Sequence, residues 1–235
     1  YCYYSTIRHQ KIANESMETF CRTNAKPPHP IKAIIFDLID TLTICSHEQY
    51  KVNHENYARS LHVDRACFDE VWMDSRELAQ KGSFQNTEKR MDWVMRKLNL
   101  RPSSAQISEF ANREENYWIQ NVKWLPDAQR VLKRLREKGI KIAILANGPA
   151  ALKGLKHSLR LSSLVDTLLL SCDSGFLKPD KGSYQQALKS MGLEFKAGNC
   201  VFVGDGTDKE LNGARECGLY TIRMKKERPP YLTWE

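Results

Sequence analysis

Residues 36–43 read Phe-Asp-Leu-Ile-Asp-Thr-Leu-Thr and directly follow the apolar run Ile-Lys-Ala-Ile-Ile at 31–35. A short apolar run rich in β-branched residues predicts a buried strand, so Asp37 is expected where that strand reaches solvent. The carboxyl ends of the strands form the usual ligand crevice of an open α/β sheet. A carboxylate at this position can act as a nucleophile or hold a cation.

Four further apolar runs alternate with helical patterns along the rest of the chain. Ala128, Val131, Leu132 and Leu135, for example, follow the i, i+3, i+4, i+7 spacing of an amphipathic helix. Repeated strand–helix–strand units favour a parallel sheet covered by helices on both faces. The predicted fold class is therefore α/β, with a doubly wound, Rossmann-like core. Its strands are expected at 32–36, 141–145, 166–170, 199–203 and 219–223.

The segment between the first and second predicted strands is far longer than an ordinary βα connection. Four helical patterns are legible in it, and the last begins with a capping box formed by Ser103 and Gln106. We therefore expect this segment to form a domain of its own. The predicted organisation is a polar N-terminal extension over 1–30, a core domain over 31–44 and 123–235, and an inserted four-helix cap domain over 45–122.

The composition excludes several classes of protein. The chain has 235 residues, a formal net charge of +8 and seven scattered cysteines. An odd number of cysteines without a Cys-x-x-Cys pair argues against a disulfide scaffold or zinc site and favours a reduced, cytoplasmic protein. No run approaches the ~20 apolar residues of a membrane helix. The positive charge is spread over predicted helix faces without a nucleic-acid motif, which favours solvated surfaces over nucleic-acid binding.

The run at 36–43 resembles the first signature of the haloacid dehalogenase (HAD) superfamily. In its hydrolases the signature reads Phe-Asp-x-Asp, then Gly or Asp, then Thr-Leu, and Ile39 stands here in place of the second Asp. Asp40 follows one position later, but a shift of one residue in strand-like backbone points the side chain the other way. We therefore interpret Asp40 as a turn residue.

Two later segments resemble the second and third signatures. The second is a hydrophobic strand ending in Ser or Thr, often followed by Asn-Gly, and here the strand ends in Ala146, Asn147 and Gly148. The resemblance implies that these positions bind the phosphoryl group of the substrate, with one hydroxyl lost at Ala146. The sequence Gly-Phe-Leu-Lys-Pro-Asp at 175–180 resembles the third signature. Its lysine, Lys178, is implied to neutralise the nucleophile and the transferring group.

The fourth signature supplies two acidic residues for a metal site. Asp205 occupies the first of these positions, and Glu210 stands five residues later, where Asp is usual. The order and spacing of the four segments agree with the superfamily over residues 31–224, and the insertion lies where subfamily I members carry a helical cap. The resemblance implies Mg²⁺ bound by Asp37, Asp205, Glu210 and the backbone carbonyl of Ile39, because Mg²⁺ prefers oxygen ligands.

The implied reaction is phosphoryl transfer through an aspartyl-phosphate, with Asp37 as the nucleophile and Lys178 as the compensating charge. In hydrolases of the superfamily, the Asp that Ile39 replaces protonates the leaving group and then activates water. General acid–base catalysis of this kind is worth about 10² to 10⁴ in rate. We therefore expect a Mg²⁺-dependent, phosphatase-like hydrolase of a small anionic substrate with a good leaving group.

Another interpretation is a catalytically impaired HAD-fold protein that binds a phosphorylated ligand or a protein partner. The loss of two phosphoryl-handling side chains, at Ile39 and Ala146, favours it. Retention of Asp37, Lys178 and Asp205 argues against it, since charges are costly to cluster without a function.

Branches of the superfamily that lack the second Asp provide further alternatives. The 2-haloacid dehalogenases work without metal and generally lack the acidic pattern of Asp205 and Glu210. The phosphonoacetaldehyde hydrolases need a cap lysine, for which Lys51 and Lys81 are equal candidates in the sequence. An ordinary phosphatase that uses Asp40 as its acid is the last alternative.

Overall fold

The computed structural model describes residues 30–194 and 196–224, so the predicted extension lies outside the described residues apart from Pro30. Short 3₁₀ turns connect several of the helices and strands. In chain order the helices and strands are β1 (Ala33–Phe36), β2 (Thr43–Ile44), α1 (His47–Ser60), α2 (Arg65–Gln80), α3 (Thr87–Lys97), α4 (Ser104–Asn121), β3 (Lys123–Trp124), α5 (Ala128–Glu137), β4 (Lys141–Ala146), α6 (Leu155–Ser158), β5 (Thr167–Leu170), α7 (Ser171–Ser174), α8 (Lys181–Ser190), β6 (Cys200–Gly204), α9 (Glu210–Glu216) and β7 (Tyr220–Arg223).

The central sheet is parallel and has the strand order β5-β4-β1-β6-β7. In the middle of the sheet, Ile34 of β1 lies opposite Ile142 of β4 and Val201 of β6. All five predicted strands are confirmed, and their ends differ from the predicted bounds by at most one residue. After β1, strands β4 and β5 are added on one side of it, and strands β6 and β7 are later added on the other side. This reversal of strand order opens a crevice at the carboxyl end of β1.

The two faces of the sheet carry separate hydrophobic clusters because side chains alternate along a strand. Ile34 and Phe36 belong to the cluster on one face, which also includes residues of α5 and α6. Ala33 and Ile35 belong to the cluster on the other face, together with residues of α8 and α9. Helices therefore cover β1 from both sides, as expected for a parallel sheet.

Helices α1 to α4 form a helical insertion between β2 and β3, which pair as a short antiparallel ribbon. The capping box at Ser103 and Gln106 is present at the start of α4. The limits of the insertion as a domain, 45–122, stay a prediction. Its helices enclose a third cluster made largely of aromatic and sulfur-containing side chains, namely Tyr57, Phe68, Trp72, Met91, Met95 and Phe110, with Ala58, Val94 and Ala111.

The helical insertion also touches the sheet-bearing core away from the ribbon. Helix α4 packs against the 3₁₀ turn Ala150–Gly154, and α2 packs against α7. After α2, Gly82 adopts φ +77° and lies so close to the carbonyl of Cys172 that a Cβ at Gly82 would overlap it. The absence of a side chain at Gly82 therefore lets the end of α2 pack closely against α7 of the core. Within 30–194 and 196–224, no helix has the length and apolarity needed to cross a membrane.

Candidate active site

The carboxyl ends of β1, β4 and β6 bring together the polar residues that the sequence singled out. Asp37 follows β1, Asn147 follows β4 and Asp205 follows β6. Glu210 is the first residue of α9, and Lys178 lies between α7 and α8. These positions converge because β4 and β6 flank β1 on its two sides.

Lys178 connects two carboxylates inside the protein. Its Nζ donates to Asp37 Oδ1 at 2.5 Å and to Glu210 Oε2 at 2.7 Å, and all three side chains are buried. Burial lowers the pKa of Lys178, but attraction by the two carboxylates outweighs burial and leaves this pKa above its usual value. Burial raises the pKa of Asp37, and it also raises the pKa of Glu210, to about 7. The Lys178 ammonium opposes both shifts. A positive charge therefore accompanies Asp37 at neutral pH.

An acidic cluster of Asp37, Asp205 and Glu210 could hold a metal ion. One carboxylate oxygen from each residue lies within 4.8 Å of the others. Converging carboxylate oxygens suit Mg²⁺. Glu210 Oε2 accepts a hydrogen bond from Lys178, and its Oε1 accepts one from the N–H of Gly206 at 3.0 Å. Asp37 and Asp205 therefore fit direct ligation, whereas Glu210 fits a contact through water.

Gly204 makes room for the extra methylene of Glu210. A Cβ at Gly204 would overlap Glu210 Oε1. The backbone of Glu210 is fixed separately, since its carbonyl accepts a hydrogen bond from Tyr184 Oη at 2.7 Å. The glutamate can therefore fold back over the end of β6 and still reach Lys178.

Asp205 is oriented by the turn that follows it. Its Oδ1 accepts hydrogen bonds from the backbone N–H of Thr207 at 2.9 Å and from the Thr207 hydroxyl at 2.8 Å. The carbonyl of Asp205 accepts a further hydrogen bond from Arg223 Nε at 3.2 Å. This Asx turn uses Oδ1 alone, so Oδ2 is the oxygen that suits a metal ion.

The segment after β4 is held by two side-chain interactions. Asn147 Nδ2 donates to the carbonyl of Lys178 at 2.9 Å, and the N–H of Lys178 donates to Asn147 Oδ1 at 2.8 Å. The N–H of Gly148 donates to the hydroxyl of Ser171 at 3.0 Å. Ala146 is buried in a hydrophobic cluster and supplies no hydroxyl. Asn147 therefore positions Lys178, a role that the resemblance alone did not imply.

Two hydrogen bonds between backbone groups close the loop that follows Asp37. The N–H of Asp40 donates to the carbonyl of Thr43, and the N–H of Thr43 donates to the carbonyl of Leu38. Neither bond engages the carbonyl of Ile39, which suits its predicted role as a metal ligand. The Ile39 side chain packs against a hydrophobic cluster. Asp40 adopts φ 67° within the turn, in agreement with its interpretation as a turn residue.

Sequence reasoning missed three residues that support the site. Thr207 lies two positions after Asp205, and this Asp-x-Thr spacing is a recognisable turn signal. Ser171 and Tyr184 carry no such signal, because their partners Gly148 and Glu210 are 23 and 26 positions away. Only the folded chain pairs them.

The chain matches the family of haloacid dehalogenase-like hydrolases over residues 31–218. It belongs to that family. By this membership, and because curated relatives over most of its length are named as phosphatases, the protein is a phosphatase-like hydrolase.

Two curated relatives of this HAD hydrolase are named as phosphatases. It is 26% identical over 203 residues to a glyceraldehyde 3-phosphate phosphatase of Methanopyrus kandleri, covering 83% of this chain and 84% of the relative. It is 28% identical over 177 residues to a ribulose-1,5-bisphosphate 5-phosphatase of Halopiger xanaduensis, and the match covers 74% of this chain and 70% of the relative. The fold resembles that of a Bacteroides thetaiotaomicron HAD family enzyme solved as a magnesium complex, with a TM-score of 0.64 and 17% sequence identity. The match covers 84% of this chain and 95% of that enzyme's chain.

Proposed function

We propose that this HAD hydrolase transfers a phosphoryl group from a small anionic substrate to Asp37 and then to water, with Mg²⁺ bound at Asp37 and Asp205. The observation that carries the proposal is the contact of Lys178 Nζ with Asp37 Oδ1 beside an acidic cluster. A carboxylate nucleophile, a cationic side chain and a cation-binding cluster are the parts that phosphoryl transfer requires.

The steps follow from the positions of these groups. An oxygen of Asp37 attacks phosphorus and the bond to the leaving oxygen breaks, which yields an aspartyl-phosphate and the released alkoxide, phenoxide or carboxylate. Lys178 offsets the negative charge around the transferring group. Water then attacks phosphorus, the bond between phosphorus and the Asp37 oxygen breaks and a proton of the water passes to solvent, which releases inorganic phosphate and regenerates the Asp37 carboxylate. When bound, Mg²⁺ neutralises charge on the phosphoryl oxygens.

Ile39 determines which leaving groups are favoured. Its hydrocarbon side chain cannot protonate a departing alkoxide, and the missing general acid is worth about 10² to 10⁴ in rate. The carboxylate of an acyl phosphate and the phenoxide of an aryl phosphate leave as weakly basic anions. These leaving groups do not need that proton. The proposed substrate class is therefore small phosphorylated molecules with good leaving groups.

Other branches of the superfamily are less well supported. A Schiff-base lysine needs a lowered pKa, whereas Lys81 is exposed and its hydrogen bond to Glu77 raises its pKa. Lys51 is also exposed. The acidic cluster at Asp205 and Glu210 argues against a metal-independent dehalogenase.

A second candidate is a non-catalytic protein that binds a phosphorylated ligand or a protein partner. It is favoured by Ile39 and Ala146, which leave the site without its proton donor and one hydroxyl. The charged residues Asp37, Lys178 and Asp205 would then serve binding alone.

One assay separates these candidates. Turnover in Mg²⁺ of acetyl phosphate, p-nitrophenyl phosphate, glycerol 3-phosphate and 2-chloropropionate is measured for wild type and Asp37→Asn. We expect turnover of the first two substrates and its loss in the variant. Binding of Mg²⁺ or phosphate without any turnover would support the second candidate. Turnover of glycerol 3-phosphate equal to that of acetyl phosphate would contradict the role given to Ile39.

A cytoplasmic location, favoured by the scattered cysteines, belongs to the same proposal.

A further inference from the structure

A groove on the helical insertion has the size of a ligand site and takes no part in the proposed reaction. It is formed by residues 83–85, after α2, and by the side of α3 that carries Lys89, Trp93 and Lys97. Its volume is about 590 Å³. Cavities that hold small molecules measure roughly 300–1,000 Å³. In the part of the chain that the structure describes, no residue of the core lines this aromatic groove.

The three sides of α3 have different neighbours, which separates the aromatic groove from the catalytic residues. Met91 and Val94 belong to the hydrophobic cluster inside the insertion. Arg90 lines a cavity of about 10 Å³ beside residues 149–151 of the core. The remaining side of the helix, which includes Trp93, faces the groove. A molecule in the groove would therefore not lie between the insertion and the core, where the proposed reaction takes place.

Two aromatic rings form the apolar part of the groove. The ring centres of Phe84 and Trp93 are 5.9 Å apart, and the ring planes are inclined by 59°. Both side chains are half-buried, so each ring is held by the protein and still reaches the groove. The exposed side chains of Ser83 and Gln85 add a hydroxyl and an amide at the edge of this corner. A flat ring with polar atoms on its rim fits such a lining, because it can pack on the aromatic rings and form hydrogen bonds at its edge.

The charged side chains around the groove are mostly positive. Arg96 Nε donates to Asp92 Oδ1 at 2.7 Å, so these two charges offset each other. Within the described residues, Lys89 and Lys97 form no salt bridge. Lys97 Nζ lies 5.3 Å from the ring centre of Trp93. Each lysine is one helical turn from Trp93, about 6 Å along the helix axis. Two positive charges without a carboxylate partner therefore flank the aromatic corner.

We propose that the aromatic groove binds a nucleoside phosphate, with its base packed against Phe84 and Trp93 and its phosphate beside Lys89 or Lys97. A nucleotide carries a flat ring and an anionic group on a short tether, which matches an aromatic corner flanked by cations. Stacking of bases on aromatic side chains and attraction of phosphates by lysines are the two usual contributions to such binding. The site is independent of the function proposed for Asp37, because no group of the proposed reaction belongs to it.

The test is calorimetric binding to the full chain in the presence of EDTA. Without a divalent cation, the three carboxylates of the acidic cluster outnumber the Lys178 ammonium and repel a phosphate, so the catalytic site should contribute little. The probes are adenosine 5′-monophosphate, adenosine, inorganic phosphate and hexaglutamate. They present respectively the ring with the charge, the ring alone, the anion alone, and several carboxylates without a ring.

The variants remove the rings and the charges separately. Trp93→Leu removes the indole, and Trp93→Phe keeps an aromatic ring. The double variant Lys89→Met with Lys97→Met removes both free cations. Its control is Lys133→Met with Lys138→Met, because these lysines are also exposed and also belong to one helix and its end, α5. The lysine variants change only exposed side chains, so they test the groove even where Trp93→Leu disturbs the packing of the insertion.

We expect the wild type to bind adenosine 5′-monophosphate more tightly than any of the other probes. Trp93→Leu should weaken this binding roughly 10- to 100-fold, as for the loss of base stacking, and Trp93→Phe should retain most of it. The double lysine variant should weaken it about 2- to 10-fold, as for two exposed ion pairs, and should leave the affinity for adenosine unchanged. The control pair should have no effect.

Three outcomes would overturn the inference. The first is that the wild type does not bind adenosine 5′-monophosphate. The second is that inorganic phosphate or hexaglutamate binds as tightly as the nucleotide, which would assign the groove to anions without a ring. The third is that the lysine variant and its control bind the nucleotide equally well.

Discussion

Asn147 and Lys178 exchange two hydrogen bonds, one from the side-chain amide to the main-chain carbonyl and one from the main-chain N–H to the side-chain oxygen. Asn147 follows β4, whereas the ammonium of Lys178 reaches Asp37 at the end of β1. The pair therefore links the segment assigned to phosphoryl binding to the cation beside the nucleophile. Movement of one should displace the other.

Replacement of Asn147 by Ala should lower activity through Lys178. Both main-chain groups of Lys178 lose a partner, and an unsatisfied group costs about 1–3 kcal/mol when buried. We expect kcat to fall roughly 10- to 100-fold, which corresponds to about 1.4–2.8 kcal/mol in the activation barrier, because a displaced Lys178 ammonium offsets less of the charge at Asp37. In the Lys178→Met background the same substitution should change kcat little, because residues acting as one unit are not additive. Asn199→Ala, which removes an exposed hydrogen bond from the side-chain amide to the carbonyl of Pro30, is the control. Additive losses would contradict the coupling.

Ile39→Asp should restore a proton donor at the expected position. We expect hydrolysis of glycerol 3-phosphate to rise about 10²- to 10⁴-fold, because an alkoxide leaving group benefits most from general acid catalysis. Acetyl phosphate hydrolysis should rise less, because its carboxylate leaving group needs no proton and only the attack of water gains from the new side chain. Ile39→Asn supplies similar size and polarity without a transferable proton and should not reproduce the gain. A similar gain with both variants would show that polarity, and not proton transfer, limits the wild-type reaction.

Thr207→Val should weaken binding of Mg²⁺ without removing a ligand. The hydroxyl of Thr207 fixes Asp205 Oδ1, and loss of such supporting hydrogen bonds typically costs 10- to 100-fold in metal affinity, a range we expect to hold roughly here. The measurement is the Mg²⁺ concentration that gives half of the maximal thermal shift. Thr207→Ser keeps the hydroxyl and should retain nearly normal affinity. Unchanged affinity in Thr207→Val would contradict the supporting role given to the Thr207 hydroxyl, since the backbone N–H of Thr207 would then suffice to orient Asp205.

Gly204→Ala should destabilise the protein because the new methyl group overlaps Glu210 Oε1. Overpacking of a buried site typically costs about 1–3 kcal/mol in the free energy of unfolding. Glu210→Asp shortens the partner and should recover part of this loss when combined with Gly204→Ala. Urea unfolding of the single and double variants measures the coupling. Gly198→Ala is a suitable control, since a Cβ at Gly198 meets no atom within 4 Å. Strictly additive free energies would contradict the contact.

Much of the fold was predictable because its signals are local. Apolar runs and helical spacing located the five strands of the sheet to within one residue, and the capping box located the start of α4. Asp37 and Asp205 could be predicted as site residues because each directly follows a strand, and parallel strands end at one edge of a sheet. The departures at Ile39, Ala146 and Glu210 were visible in the sequence as well.

The resemblance implied that Lys178 neutralises Asp37, but only the tertiary structure determined the contacts that these residues make. Lys178 and Asp37 are 141 positions apart, and neither residue has a local pattern that specifies a contact of 2.5 Å between them. The space that Gly204 leaves for Glu210 and the hydrogen bonds between Asn147 and Lys178 likewise depend on segments joined by folding. The spacing of apolar residues is a property of segments that are continuous in sequence, so it was enough to predict the helices and strands. Side-chain hydrogen bonds and close contacts depend on packing between distant segments, so only the folded protein could determine them.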